Sequence, residues 1–380
     1  MHILIAPNAF KNSLNAENAA LAIEKGFISS KLECSIECFP VGDGGDGTAE
    51  LIVKRCAGLH VVVEVANPFG RKINAVFGLI DDGKTAVIEM ANASGLRLLK
   101  PQELNPLRAL STGTGELIKF ALEKGVKKII IGMGGSATVD GGVGILMALG
   151  VRFFDLRDVE LTNLPESLVD LQRIDLSALD QRILACEVSI LCDVDNFMLG
   201  ETGAAKVFGP QKGADADAVK KLEAALQKLS KVIKNQIGKD IISVKRGGAA
   251  GGAAASLHGL INAKLLNGID HFLALTNFDV ALSKADIVIT GEGSLDEQTL
   301  QGKGPQGVAQ RARLKGLPVI GIAGKVPLQP RAEMHQYFDI LIPIGNEPTD
   351  LSNAMLHTSK NLTRTSIAVA NLLALGKQRS

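Results

Sequence analysis

Four loops of this chain carry the residue types that handle phosphate or hydride groups. The first, Gly42-Asp43-Gly44-Gly45-Asp46-Gly47-Thr48, follows an apolar run and satisfies G-x-G-x-x-G. As a dinucleotide fingerprint it is suspect. A pyrophosphate beside two carboxylates is strongly repelled in a partly dry site unless a divalent cation lies between them; with Mg²⁺ present, the same carboxylates become useful. A tight glycine turn with exposed aspartates is the competing reading. The second loop spans 132–144, from Gly132-Met133-Gly134-Gly135-Ser136-Ala137-Thr138 through Asp140-Gly141-Gly142 to Gly144. It matches G-x-G-x-x-A between a strand and a helix. Asp155 lies near the spacing of a ribose-binding acid, which makes this the best indication of a nicotinamide enzyme. Its backbone N–H groups and two hydroxyls suit any phosphate equally well, and its glycines also suit close helix packing.

The third loop, Cys192-Asp193-Val194-Asp195-Asn196, closes an apolar run. Strand alternation would point Asp193 and Asp195 the same way, where two carboxylates can divide the work of base and metal ligand; an ordinary Asx turn is the alternative. The fourth runs Thr290-Gly291-Glu292-Gly293-Ser294-Leu295-Asp296-Glu297-Gln298-Thr299 and continues into Gly302-Lys303-Gly304-Pro305. It places Glu292 and Asp296 at the edge of a sheet. Lysines accompany the acids: Lys11 after the first apolar run, Lys212 in Phe208-Gly209-Pro210-Gln211-Lys212-Gly213, and Lys325 after Gly321-Ile322-Ala323-Gly324. The glycine-alanine run 247–255 reads either as a helix start able to hold an anion or as close helix packing.

Taken together, acid-bearing loops with interspersed lysines describe a site for a polyanion and a divalent metal. Hydride transfer has no need of so many carboxylates, so phosphoryl transfer is favoured. The sequence contains no G-x-x-x-x-G-K-[ST] and no H-R-D set, which excludes the two common ATP-binding plans.

The elements that must position these loops follow the rhythm of βα units. Short apolar runs at 3–6, 36–41, 128–132, 189–192, 286–290, 318–323 and 339–344 read as strands of parallel sheets. After the first, Asn12 or Ser13 can cap a helix whose Ala16, Ala20, Ile23 and Phe27 share one face. Residues 61–63, 73–80 and 85–90 form three runs, the last two joined by Asp81-Asp82-Gly83, and mark an antiparallel insert. The expected architecture is α/β: a parallel, Rossmann- or flavodoxin-like domain built from residues 1–65 and 285–380, with a second α/β domain, 66–284, inserted into it.

Composition narrows the function classes. The chain has 380 residues, 46% of them hydrophobic, with 41 basic and 40 acidic side chains. So balanced a charge leaves no broad basic face for nucleic acid, and an aromatic content of 4% with no Trp leaves no base-stacking platform. The opening residues lack the pattern of a signal peptide, and no apolar stretch approaches the roughly 18 residues of a membrane span. Cys34, Cys38, Cys56, Cys186 and Cys192 are odd in number and form no C-x-x-C pair, as expected of a chain in a reducing cytoplasm. The six histidines show no metal-binding spacing.

Read as a set, the motifs resemble the class I, bacterial-type glycerate kinases nearly end to end. The likeness is carried by Ile5-Ala6-Pro7 with Phe10-Lys11, Asp43-Gly44-Gly45, the 134–138 loop with Asp140-Gly141-Gly142, the Cys192 to Asn196 loop, the Phe208 to Ala214 segment, Gly251-Gly252, and Gly291-Glu292-Gly293 with Asp296 and Gln298-Thr299. The resemblance implies two α/β domains with the active site in a cleft between them, ATP and Mg²⁺ as cofactors, D-glycerate as substrate, and 2-phosphoglycerate as the favoured product. No nucleic acid or membrane partner is expected, and a homodimer is allowed. On this reading Asp193 is the base and Lys11 neutralises phosphate or the substrate carboxylate. Gly134, Gly135, Ser136, Ala137, Thr138, Lys212 and Lys303 bind the nucleotide. Asp195, Asn196, Gln211 and Asp296 contact substrate, while Asp43, Asp46 and Glu292 hold the metal. The sequence departs from the family pattern at Asn8-Ala9, where Asp-Ser is usual, at Asp46, where Glu is usual, and at Asn67, where Asp is common. A nicotinamide-dependent oxidoreductase and a non-catalytic sensor of small acids are the alternatives.

Overall fold

The computed structural model describes residues 1–297 and 299–377, so Gln298 of the fourth loop lies outside the described residues. The chain divides into two compact units, one made of Met1–Asp43 and everything from Ile269 onward, the other of Gly44–Gly268.

The first unit opens with β1 (His2–Ile5) and β2 (Ser35–Cys38), joined by the helix Ala16–Ile28. That helix buries Ala16, Ala20, Ile23 and Phe27 on one face, as their spacing predicts. Its cap is Asn15, which accepts from Asn18 N at 2.8 Å, and neither Asn12 nor Ser13 does this work. Asn12 instead takes a left-handed backbone (φ 63) in the turn before it.

The second unit begins with the helix Thr48–Arg55 and then β3 (Leu59–Ala66), β4 (Lys72–Ile80), β5 (Thr85–Glu89), β6 (Lys128–Gly132), β7 (Arg152–Phe154), β8 (Arg173–Asp175), β9 (Glu187–Cys192) and β10 (Lys264–Asn267). Its main sheet has the order β10-β9-β6-β5-β4-β3. The run expected as an antiparallel insert is the antiparallel edge of this sheet: β3 and β4 pair antiparallel, β4 pairs antiparallel with β5, and β5 turns to run parallel to β6. The turn between β4 and β5 uses Asp81 and Asp82 in left-handed conformation, where short polar side chains are tolerated. The chain then returns to the first unit with β11 (Ile287–Ser294), β12 (Val319–Lys325) and β13 (Ile340–Pro343). The five strands of that unit are all parallel, in the order β13-β12-β11-β1-β2.

The units therefore divide at 43/44 and 268/269, against the expected 65/66 and 284/285. Pairing and packing explain the difference. β3 is zipped to β4 from Leu59 to Ala66, which ties it and the helix before it to the second unit. Residues after 268 join the first unit because Ile269 packs against the backbone of Gly307 and Phe278 meets Phe39 edge to face, ring centroids 5.0 Å apart. Each unit has its own apolar core: Ile3, Ile5, Ile289, Ile320 and Ile322 are central to the first, and Ile88, Ile129, Ile131 and Ile190 to the second. No described helix is long and apolar enough to cross a membrane.

Candidate functional site

In the first unit, β1 and β11 are neighbours whose following crossovers lead away in opposite directions, to β2 on one side and β12 on the other. Such a switch point opens a crevice at the carboxyl ends of the strands. Asn8 follows β1, Asp43 follows β2, and Glu292 sits near the end of β11. Asn8 N donates to Gly291 O at 2.8 Å, so the two central loops are stitched at their base.

Asp43 and Glu292 are both buried, each 8% exposed. Asp43 Oδ2 accepts from Asn8 Nδ2 at 2.8 Å and from Gly304 N at 3.2 Å, the latter at the start of the helix Gly304–Leu314. Glu292 Oε1 accepts from the Thr299 hydroxyl at 2.9 Å. Burial, and after it the Asp43 charge, push the Glu292 carboxyl up to about 7, with Lys303 pulling the other way. Two carboxylates placed this way repel each other, and a cation relieves the repulsion. Asp296 is held by Ser294 Oγ at 2.9 Å, and half-buried Lys303 caps the same helix. Lys11 lies exposed in the turn after β1.

The second unit presents the carboxyl ends of β5, β6 and β9. Loop 133–142 separates β6 from the helix Val143–Ala148, so the helix does not follow the Gly132 to Ala137 motif directly. This removes the strand-turn-helix context that a dinucleotide fingerprint requires. Asp155, the expected ribose acid, instead accepts from Arg157 N and Val159 N within its own turn. Asp140 is fully buried and accepts from Ser111 N, Ser111 Oγ, Gly142 N and Gly144 N, a structural role.

The 134–138 loop is held from several directions. Gly134 N donates to Gly44 O at 3.0 Å and Ala137 N to Ser94 O at 2.8 Å, so those two N–H groups are committed within the protein. A side chain at position 134 would put its Cβ 2.4 Å from Gly45 Cα, which explains the glycine. Gly135 is exposed, whereas Ser136, Ala137 and Thr138 are buried. Beneath them lies Lys212, 3% exposed, donating to Ser136 Oγ at 2.9 Å and Thr138 O at 2.7 Å. Desolvation pulls its ammonium down to about 7, with Asp140 opposing. Gln211, beside it, is exposed. The glycine-alanine run serves packing: a Cβ on Gly251, itself at φ +68, would lie 2.3 Å from Thr138 O.

After β9, Asp193 is half-buried, and its charge adds to burial in pushing the Cys192 thiol up to about 12. Asp195 is held by two basic neighbours. Its carboxylate bridges Lys245 Nζ and Arg246 Nε, both at 3.0 Å, while Asn196 Nδ2 donates to Thr202 O at 2.7 Å. These residues hold the loop that carries Asp193. Asp46 is exposed and ion-paired to Arg97 Nη1 at 2.6 Å. The expected metal trio is thus split between the units. Among the described residues, no three His, Cys, Asp or Glu side chains form a group able to hold a metal.

Two residues near Asp46 were missed. Glu89, at the end of β5 and opposite Gly132 in register, accepts from Gly47 N at 2.9 Å and Ala49 N at 3.2 Å. Burial, then a side-chain hydrogen bond to Asp46, push its carboxyl up to about 7. The signal was an acid ending an otherwise apolar strand, Thr85-Ala86-Val87-Ile88-Glu89. Arg97, which bridges Asp46 and Asn92, carried no sequence signal.

Residues 3–374 match the model of the glycerate kinase family. The chain belongs to that family. Among relatives, a glycerate kinase of Halalkalibacterium halodurans is 45% identical over 85% of each chain, and a glycerate 2-kinase of Escherichia coli K12 is 41% identical over the full length of both. A crystal structure from Salmonella typhimurium LT2, provisionally named glycerate kinase 2, superposes with a TM-score of 0.83 at 42% identity, covering 100% of this chain and 99% of the other. Membership of the glycerate kinase family makes the chain a kinase of α/β fold. The carboxamide of Asn8, where the resemblance led an aspartate to be expected, lies against Asp43.

Proposed function

We propose that the chain transfers the γ-phosphoryl group of ATP to D-glycerate, favouring the 2-hydroxyl, in a Mg²⁺-dependent reaction. The observation that carries this reading is the buried carboxylate pair Asp43 and Glu292 at the switch point of a parallel sheet, a donor set suited to a hard cation. Asp43 and Glu292 would hold Mg²⁺, which when bound neutralises phosphate charge. Two protein carboxylates suffice, because Mg²⁺ usually keeps waters and substrate phosphate oxygens as its remaining ligands. This assignment leaves Asp46 to Arg97.

Asp193 accepts the proton of the attacking hydroxyl, its loop fixed by the Asp195 ion pairs. Exposed Gly135 and the Ser136 hydroxyl face the nucleotide phosphates, with Lys212 adding positive charge through Ser136. Lys11 and Lys303 neutralise phosphate or substrate carboxylate. Gln211 and Asp296 are the remaining substrate contacts. The full-length relative named glycerate 2-kinase supports the choice of hydroxyl, and five cysteines outside any disulfide support a cytoplasmic setting. Phosphoryl transfer asks the protein mainly for positioning and charge neutralisation, which this inventory provides.

Phosphorus NMR of the protein with ATP, Mg²⁺ and D-glycerate tests the proposal. The expected spectrum shows 2-phosphoglycerate growing with ADP. Unchanged ATP, or a 3-phosphate product, contradicts it.

A further inference from the structure

A cavity of about 500 Å³ lies in the second unit, between the helix Thr48–Arg55 and β4–β5. Its apolar wall is Val53, Val76 and Val87, and its polar end is Glu89, Asn92 and Arg97. The size is that of a small-molecule site, and an apolar wall with a few convergent polar groups is the usual construction of one. The cavity also adjoins the phosphate-binding loop. Arg97 follows Leu96, whose N donates to Gly135 O at 2.9 Å, and a Cβ on Gly135 would lie 3.7 Å from Asp46 Cγ.

The charge of the polar end selects the ligand. Arg97 is already matched by Asp46 at 2.6 Å, and Glu89 and Glu50 remain in the lining. A phosphate or carboxylate is therefore repelled, whereas a neutral ring system with hydroxyl donors is accommodated.

We propose that this cavity holds the nucleoside half of the nucleotide, with the base against Val53, Val76 and Val87 and the ribose hydroxyls donating towards Glu89. The assignment rests on the reading of the 134–138 loop as the phosphate site. Glu89 then has two tasks. It fixes the Gly47 and Ala49 amides, and it presents a carboxylate to the sugar.

The test uses adenosine and inorganic tripolyphosphate as separate probes, measured by calorimetry on the wild-type protein and on two cavity-filling variants, Val76→Phe and His60→Trp. His60 is an exposed lining residue, so its variant preserves folding even if the first does not. Adenosine should compete with ATP and not with D-glycerate. Both its affinity and the apparent affinity for ATP should fall at least tenfold in the folded variants, with tripolyphosphate binding unchanged. Adenosine binding that ignores both variants, or that fails to compete with ATP, overturns the assignment. The two readings fail separately: ATP turnover with adenosine indifferent to the variants removes only the cavity assignment. Adenosine lost from the variants in a protein that never consumes ATP leaves the cavity assignment standing and removes the reaction.

Discussion

The Asn8 side chain donates its amide to Asp43 Oδ2 at 2.8 Å, at a position where the family resemblance led an aspartate to be expected. A carboxamide here satisfies Asp43 without adding charge, so the acidic group keeps two carboxylates, Asp43 and Glu292, close enough to raise the latter. Compared with an aspartate, asparagine at this position thus lowers the repulsion the fold must hold when no cation is bound.

Asn8→Asp should reverse that balance. A third carboxylate against Asp43 costs on the order of 1 kcal/mol or more of stability without metal. Millimolar Mg²⁺ should recover the loss, with tighter apparent Mg²⁺ binding than in the wild-type protein. Thermal unfolding with and without Mg²⁺ checks this; equal midpoints for both proteins without metal would contradict it.

Glu292 gives cation binding a pH dependence. Its carboxyl is raised to about 7, so below that pH a proton occupies the group and must leave before a cation can use it. Apparent Mg²⁺ affinity should rise up to about tenfold per unit as pH increases towards 7, then level off. Glu292→Gln should flatten the profile and weaken binding. Mg²⁺ titrations from pH 5.5 to 8.5 measure it, and a flat wild-type profile would refute the role.

Lys212 should make stability pH-dependent in the opposite range. Its native pKa of about 7 lies below the unfolded value of 10.5, so between them the unfolded chain binds more protons. Stability contributed at this site therefore rises with pH from about 7 towards 10.5, by up to roughly 1.4 kcal/mol per unit. Lys212→Met should remove that slope. Urea unfolding of both proteins at pH 7 and 9 provides the comparison, and equal slopes would contradict the assignment.

Much of this arrangement was legible in sequence because it is local. The strands of the two main sheets other than β10, the amphipathic face of Ala16–Ile28, and the placing of Asp43, Glu292 and Lys212 in or beside glycine-rich loops follow from periodicity and motif, whereas the burial of those three side chains does not. What escaped was set through space. Asp195 reads as half of a catalytic pair until Lys245 and Arg246 close on it from some fifty positions later. Gly134 and Ala137 read as phosphate donors until the carbonyls of Gly44 and Ser94 take their N–H groups. The unit boundaries escaped for the same reason, because β3 belongs with the strand it pairs with and not with the segment that precedes it. Asn67 shows the reverse case: its side chain accepts from Phe69 N and Arg71 N, a turn role that a short polar residue fills without charge.

The account rests most directly on Asp193 as the base, and turnover of Asp193→Asn is the measurement that tests it. With folding verified and ATP and D-glycerate saturating, kcat should fall by about two to four orders of magnitude while the KM for ATP stays within a few-fold of wild type. A variant turning over at near the wild-type rate would contradict the mechanism.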